Sequence, residues 1–146
     1  MIEPSVLVVD DEAQFVETLI KRLDKRGVKV RAAHSGQEAL DALAGRGATN
    51  TDVVVLDVKM VGMDGLETLA LIKEQHPLVE VIMLTGHATV ESAIEGMKHG
   101  AYDYLMKPCD LDVLMEKLNA AAVKKREHEA KILEARATMI SLRRGD

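Results

Sequence analysis

The stretch VVVLDVKMVGMDG, residues 53–65, opens on an apolar run that stops at Asp57. A strand that dry has no use for a carboxylate, because a buried charge is costly unless it is paired. Other apolar runs in the chain end in the same way. VLVV (6–9) is followed by Asp10 and Asp11, VIML (81–84) by Thr85, and AYDYLM (101–106) by Lys107. Three carboxylates brought close together repel one another, and some of their pKa values rise unless a cation shares the space. Hard oxygen ligands of this kind suit Mg²⁺, which keeps several waters and takes one or two carboxylates together with a phosphate oxygen. An ammonium and a hydroxyl beside such an ion describe a place to hold a phosphoryl group. A carboxylate can itself act as the nucleophile and form an aspartyl phosphate. Taken singly, each residue has a blander reading: a solvated turn for Asp10–Asp11, a loop start for Thr85–Gly86, a surface lysine for Lys107. The chemistry requires elements that bring all five to one place.

Those elements are legible as an alternation of strand-length apolar runs and helical patterns. SVLVV (5–9) reads as a strand bounded by Pro4 and Asp10. Residues 12–26 space Phe15, Leu19, Ile20 and Leu23 as one helical face, closed by Gly27. VKVRAA (28–33) alternates, as an edge strand with one wet face does, whereas DVVVL (52–56) is a continuous run suited to burial on both faces. Ser35 and Glu38 form a capping-box pair ahead of the next helix. A helix over 64–75, a strand over 79–84, a helix over 88–99 and a strand over 101–105 follow, and Asp110 is placed to cap a long final helix. Five βα units in succession imply a parallel sheet with helices on both faces and right-handed crossovers. The expected fold is α/β, flavodoxin-like, with strand order 2-1-3-4-5 and the site at the C-terminal ends of the strands. Asp10, Asp11, Asp57, Thr85 and Lys107 all lie at such ends.

With 146 residues, 47% hydrophobic and 29% charged, the composition is that of one soluble globular domain with a full core. No apolar stretch reaches the length of a membrane span. The opening MIEPSVLVVDDE has neither the basic region nor the cleavage site of a signal peptide. The lone Cys109 can form no internal disulfide and has no metal-ligand partner at binding spacing, so a reducing cytoplasm is the expected setting. Charge is uneven: residues 1–123 carry 12 Lys/Arg against 20 Asp/Glu, a balance of −8, and residues 124–146 carry 7 against 4, a balance of +3. The acidic body argues against direct nucleic-acid binding. The basic tail reads as a solvated helical face, because its charges of both signs are interspersed.

The motifs VLVVDDE, VVVLDVKMVGMDG, VIMLTGHAT and GAYDYLMKP, in this order and spacing, resemble the receiver domains of bacterial response regulators over residues 5–123. The stretch TGHATVESAIEGMKHGAYDYLMKPCD is most similar to receivers of nitrogen-regulation-type, sigma-factor-dependent activators. The resemblance implies that Asp57 accepts a phosphoryl group from a phosphohistidine on a sensor histidine kinase. It implies that Asp10, Asp11, Asp57 and the backbone carbonyl of Lys59 hold Mg²⁺, and that Lys107 pairs with the phosphoryl oxygens. Thr85 and Tyr104 are implied as the switch residues, and the Lys107–Pro108 bond as cis. Val61 stands where the family usually has proline. That change frees the loop after Asp57, by about 0.4–1 kcal/mol through the unfolded state, with no contact to the metal or the phosphate expected.

The reading divides the chain into a receiver domain, 1–123, and a C-terminal helical extension, 124–146. From Leu111 a heptad runs through Leu118, Lys125, Ile132 and Met139 at a and Leu114, Ala121, His128, Ala135 and Leu142 at d, which suggests a coiled coil. A homodimer is expected through the face formed by helix 88–99, strand 101–105 and the last helix, or through the C-terminal helix itself. The competing function is a Mg²⁺-dependent phosphohydrolase that also passes through an aspartyl phosphate. Enzymes of the haloacid-dehalogenase type pair aspartates around the nucleophile and carry a cap domain. Here Val58 and Lys59 follow Asp57, and the chain is too short for a cap. A structural interaction module of the same fold is the third reading, and the complete set of site residues argues against it.

Overall fold

The structure, a computed structural model, describes residues 3–45 and 50–145. The strands are β1 (Ser5–Val9), β2 (Lys29–Ala33), β3 (Val53–Leu56), β4 (Glu80–Thr85) and β5 (Asp103–Met106). The helices are α1 (Ala13–Lys25), α2 (Gly36–Ala44), α3 (Gly65–Gln75), α4 (Val90–Lys98) and α5 (Leu111–Arg144). All pairings are parallel and the order is β2-β1-β3-β4-β5, as expected. The continuous apolar runs of β1, β3 and β4 are buried at every position. The alternating β2 lies at one edge and is largely open.

The two-residue period of a strand divides the core in two. On one face Val6, Val8, Val53, Val55, Ile82 and Leu84 pack under α1 and α5, through Leu19, Leu23, Leu114 and Leu118. On the other face Leu7, Val9, Val54, Leu56, Val81 and Met83 pack under α2 and α3, through Leu40, Leu69 and Ile72. Both faces of the central strands β1, β3 and β4 are therefore dry, and polar side chains gather at their ends.

Helix boundaries follow their capping chemistry. Ser35 Oγ accepts the Glu38 N–H at 3.1 Å, while the Glu38 carboxylate reaches back one residue further than a simple box, accepting the His34 N–H at 3.2 Å. Asp64 caps α3 through the Glu67 N–H at 2.9 Å, and Thr89 with Ser92 forms a full capping box on α4. Asp110 caps α5 by accepting the Asp112 N–H at 2.8 Å. Strand β5 begins two residues later than the apolar pattern indicates. Gly100 adopts a positive φ of 97°, and the Ala101 N–H is taken by the Gly96 carbonyl, so Ala101 closes α4 instead of opening the strand. Tyr102 and Tyr104 are both half-buried and pack on opposite faces. An edge strand flanked by α5 on one side and α4 on the other half-covers each.

The last helix runs unbroken through residue 123, and α5 stays tied to the body beyond it. Lys125 is buried, and Arg126 reaches Asp52 at 2.8 Å and the Glu3 carbonyl at 2.8 Å. The first half of the heptad stripe, Leu114, Leu118, Ala121 and Lys125, is thus covered by the chain's own sheet and not by a partner helix. Its second half, at His128, Ala135, Met139 and Leu142, is exposed.

Candidate functional site

Parallel strands in this order deliver their C-terminal ends side by side, so residues far apart in sequence meet where β1, β3, β4 and β5 stop. Asp10, Asp11 and Asp57 each offer a carboxylate oxygen, and these atoms lie within 4.8 Å of one another. Asp10 and Asp57 are buried at 2% exposure each, whereas Asp11 is open to solvent. Neighbouring ligands of an octahedral Mg²⁺ stand roughly 3 Å apart and opposite ones roughly 4 Å, from bonds of 2.0–2.1 Å, so the three carboxylates are near enough to share one ion after side-chain adjustment.

Backbone donors orient each acid. Asp10 Oδ1 accepts the Glu12 N–H at 2.9 Å, and Asp57 Oδ1 accepts the Val58 N–H at 2.8 Å. Asp11 Oδ2 accepts the Val61 N–H at 2.9 Å. This last bond gives Val61 a part in the acidic cluster through its backbone. Its side chain is 84% exposed and touches nothing of the site, but its backbone holds a carboxylate of the acidic cluster. A proline at that position has no N–H and could not do so. Gly65, at the start of α3, lets its N–H reach the Val58 carbonyl at 2.7 Å; a Cβ there would collide with the Asp57 carbonyl oxygen. The loop between β3 and α3 is closed back onto the phosphoacceptor candidate by that contact. Lys59 lies in the same loop and is exposed.

Lys107 enters from the end of β5, and its bond to Pro108 is cis, as expected. Its ammonium donates to Asp10 Oδ2 at 2.6 Å and lies 3.4 Å from Glu12 Oε1 and 3.8 Å from Asp57 Oδ2. Burial pushes the Asp10 carboxyl above its ordinary value, with the nearby Asp57 charge adding to the effect. The hydrogen bonds from Lys107 and from the Glu12 N–H offset only part of it. For Lys107, burial acts to lower the pKa, but the Asp10 hydrogen bond and the charges of Asp10, Asp57 and Glu12 outweigh it and hold the ammonium above its usual value. One cation facing an excess of carboxylates leaves the cluster short of positive charge.

Thr85 is wholly buried at the end of β4, with its Oγ1 accepting the His87 N–H at 3.0 Å and its carbonyl accepting the Lys107 N–H at 2.9 Å. Tyr104, on β5, shares a 2.6 Å hydrogen bond with Ser92 Oγ in the first turn of α4. Gly96 of α4 packs against the Tyr104 ring, which ties that helix to β5 at a second point. His87 and His99 are exposed, and His99 pairs with Glu95 at 3.3 Å within its own helix. Two participants escaped the reading of the sequence. Glu12 follows the two aspartates directly and is visible as a third acid; the Val61 backbone donor has no side-chain signal at all.

A model of the response regulator receiver domain matches residues 6–119. The chain belongs to that family. Transcriptional regulatory protein ZraR of Salmonella typhimurium is 39% identical over 137 residues, covering 94% of this chain and 30% of that protein. DNA-binding transcriptional regulator NtrC of Escherichia coli is 39% identical over 107 residues, covering 73% of this chain and 22% of that protein. This receiver therefore spans less than a third of the curated relatives it matches. Among solved structures, a receiver domain protein from Clostridium thermocellum superposes with a TM-score of 0.78 at 35% identity, covering 84% of this chain and 97% of that one. NtrX from Brucella abortus gives 0.79 at 32% identity, covering 90% and 30%. The matches to NtrC and NtrX bear out the resemblance to the nitrogen-regulation group. No helix among the described residues is long and apolar enough to cross a membrane.

Proposed function

We propose that this receiver accepts a phosphoryl group on Asp57 from the phosphohistidine of a sensor histidine kinase and, once phosphorylated, switches a surface used by a partner or by a second copy. The observation that carries the reading is the convergence of Asp10, Asp11 and Asp57 around one point, with the Lys107 ammonium at its edge. Asp10, Asp11 and Asp57, with the Lys59 carbonyl, would hold Mg²⁺, which when bound neutralises charge on the carboxylates and on the phosphoryl oxygens. Asp57 supplies the attacking carboxylate oxygen. Lys107 offers its ammonium to the phosphoryl oxygens, and Thr85 its hydroxyl once that turns from the His87 N–H. The chain is a signalling domain in this scheme, with its own phosphorylation and dephosphorylation as its only chemistry.

Phosphorylation adds about −0.5 to −1 of charge at Asp57 and new acceptor oxygens. Thr85 and Lys107 satisfy them by moving, which biases an element with two arrangements. The α4–β5–α5 face is that element: Thr85 precedes α4, Tyr104 is bonded into its first turn, and Lys107 leads into α5. Val90, Ile94, Met97, Met106 and Val113 leave apolar surface exposed there, which supports a role in self-association or partner binding. Labelling from acetyl phosphate with Mg²⁺ tests the acceptor: wild type should take up phosphate and Asp57→Asn should not. Beryllofluoride with Mg²⁺, an acyl-phosphate mimic, should move amide resonances along α4 and β5. Unchanged spectra there would reject the switch.

A further inference from the structure

Lys107 does not rest on the acid it is meant to serve. Its Nζ is 2.6 Å from Asp10 and 3.4 Å from Glu12, but 3.8 Å from Asp57, too far for a hydrogen bond. A further group holds it there. The ring of Phe15 lies with its centroid 3.9 Å from Nζ, well inside the range of a cation–π contact. Lys107 is 12% exposed, so the contact is made in a largely desolvated setting where such attraction is strongest. Phe15 and Glu12, the residue just ahead of α1, come from the same turn, which places a neutral ring and an anion together at one ammonium.

We infer that Phe15 is a positioning residue for Lys107. Its ring face holds the ammonium off Asp57, leaving a gap that a phosphoryl oxygen can fill. This rests on the phosphoacceptor reading of Asp57. Without the ring, the flexible lysine either closes onto the Asp57 carboxylate, blocking the incoming group, or turns to solvent. The neutral ring does this where another carboxylate could not, because an added anion would deepen the repulsion around Asp57.

The test compares Phe15→Leu, which keeps apolar bulk but loses the aromatic face, with Phe15→Tyr, which keeps the face. Phe15 borders a cleft of about 190 Å³, lined also by Arg22, Lys107 and Cys109. Labelling from acetyl phosphate with Mg²⁺ is measured, since a small donor needs no kinase docking. Phe15→Leu should label roughly 2- to 30-fold more slowly, the span a cation–π contact covers between exposed and desolvated settings, and Phe15→Tyr should label at the wild-type rate. The Lys107 ε-methylene protons should be shifted upfield by the ring in wild type and Phe15→Tyr and lose that shift in Phe15→Leu. Wild-type labelling by Phe15→Leu, or equal slowing by both variants, overturns the inference. If wild type itself takes up no phosphate, the phosphoacceptor reading fails, and an unshifted Lys107 methylene in wild type separately overturns the seat.

Discussion

The two ends of the sheet bury the same kinds of charge to opposite effect. At the N-terminal end, Asp52 is 1% exposed and meets more than its match. Arg126 reaches its two oxygens at 3.2 and 2.8 Å, Lys125 stands at 3.5 Å, and the Ser5 N–H donates at 2.9 Å. At the C-terminal end, Asp10, Asp11 and Asp57 crowd together, and Asp10, Asp57 and Glu12 share the one ammonium of Lys107. A saturated buried carboxylate is a clamp: it joins α5 to β3 and needs nothing from outside. An undersupplied cluster is a site, because its remaining repulsion is relieved only by a cation or by a change of protonation. Asp52 at one end and Asp10 and Asp57 at the other are buried alike, and the local balance of charge separates structure from function.

The same substitution at both ends gives the sharpest break. Asp57→Asn should lose phosphate labelling completely yet fold as well as wild type, since it removes one charge from a cluster with too many. Asp52→Asn should keep labelling but lose about 3 kcal/mol in urea unfolding, as expected when a buried ion pair loses one partner. The loss falls at the lower end of that range because Glu129, 3.1 Å from Lys125, still pairs with it. Equal stability of the two variants would erase the contrast between clamp and site.

Metal addition comes next in size. Mg²⁺ at a hundred times its dissociation constant should stabilise wild type by about 2.7 kcal/mol, read as a rise in the thermal midpoint. Asp11→Asn should lose most of that gain, while Asp52→Asn should keep it, because only one end of the sheet is short of positive charge. The smallest effect belongs to a surface pair of the same chemistry. Arg26 lies 3.0 Å from Asp112, with side-chain exposures of 45% and 79%. Arg26→Gln should therefore cost no more than about 1 kcal/mol, and less in high salt. A loss as large as that of Asp52→Asn would show that burial is not what gives the clamp its strength.

Much of this protein was set by local pattern. Period-2 and continuous apolar runs are properties of neighbouring residues, so the strands, their order class and their polar ends were legible in the sequence. So were the caps at Ser35 and Asp110, whose partners lie two or three residues away. Placing Asp10, Asp11, Asp57, Thr85 and Lys107 at strand ends was enough to gather them, because parallel strands align those ends. The tertiary structure alone decided which atoms meet. Lys107 settles on Asp10, 97 residues away, and against Phe15, whose spacing marks it only as part of an apolar helical face. Val61 serves through a backbone donor that any residue but proline supplies. Lys125, which heptad spacing assigns to a partner helix, is claimed by Asp52 of the chain's own sheet, because a period of seven records that a face is covered but not by what.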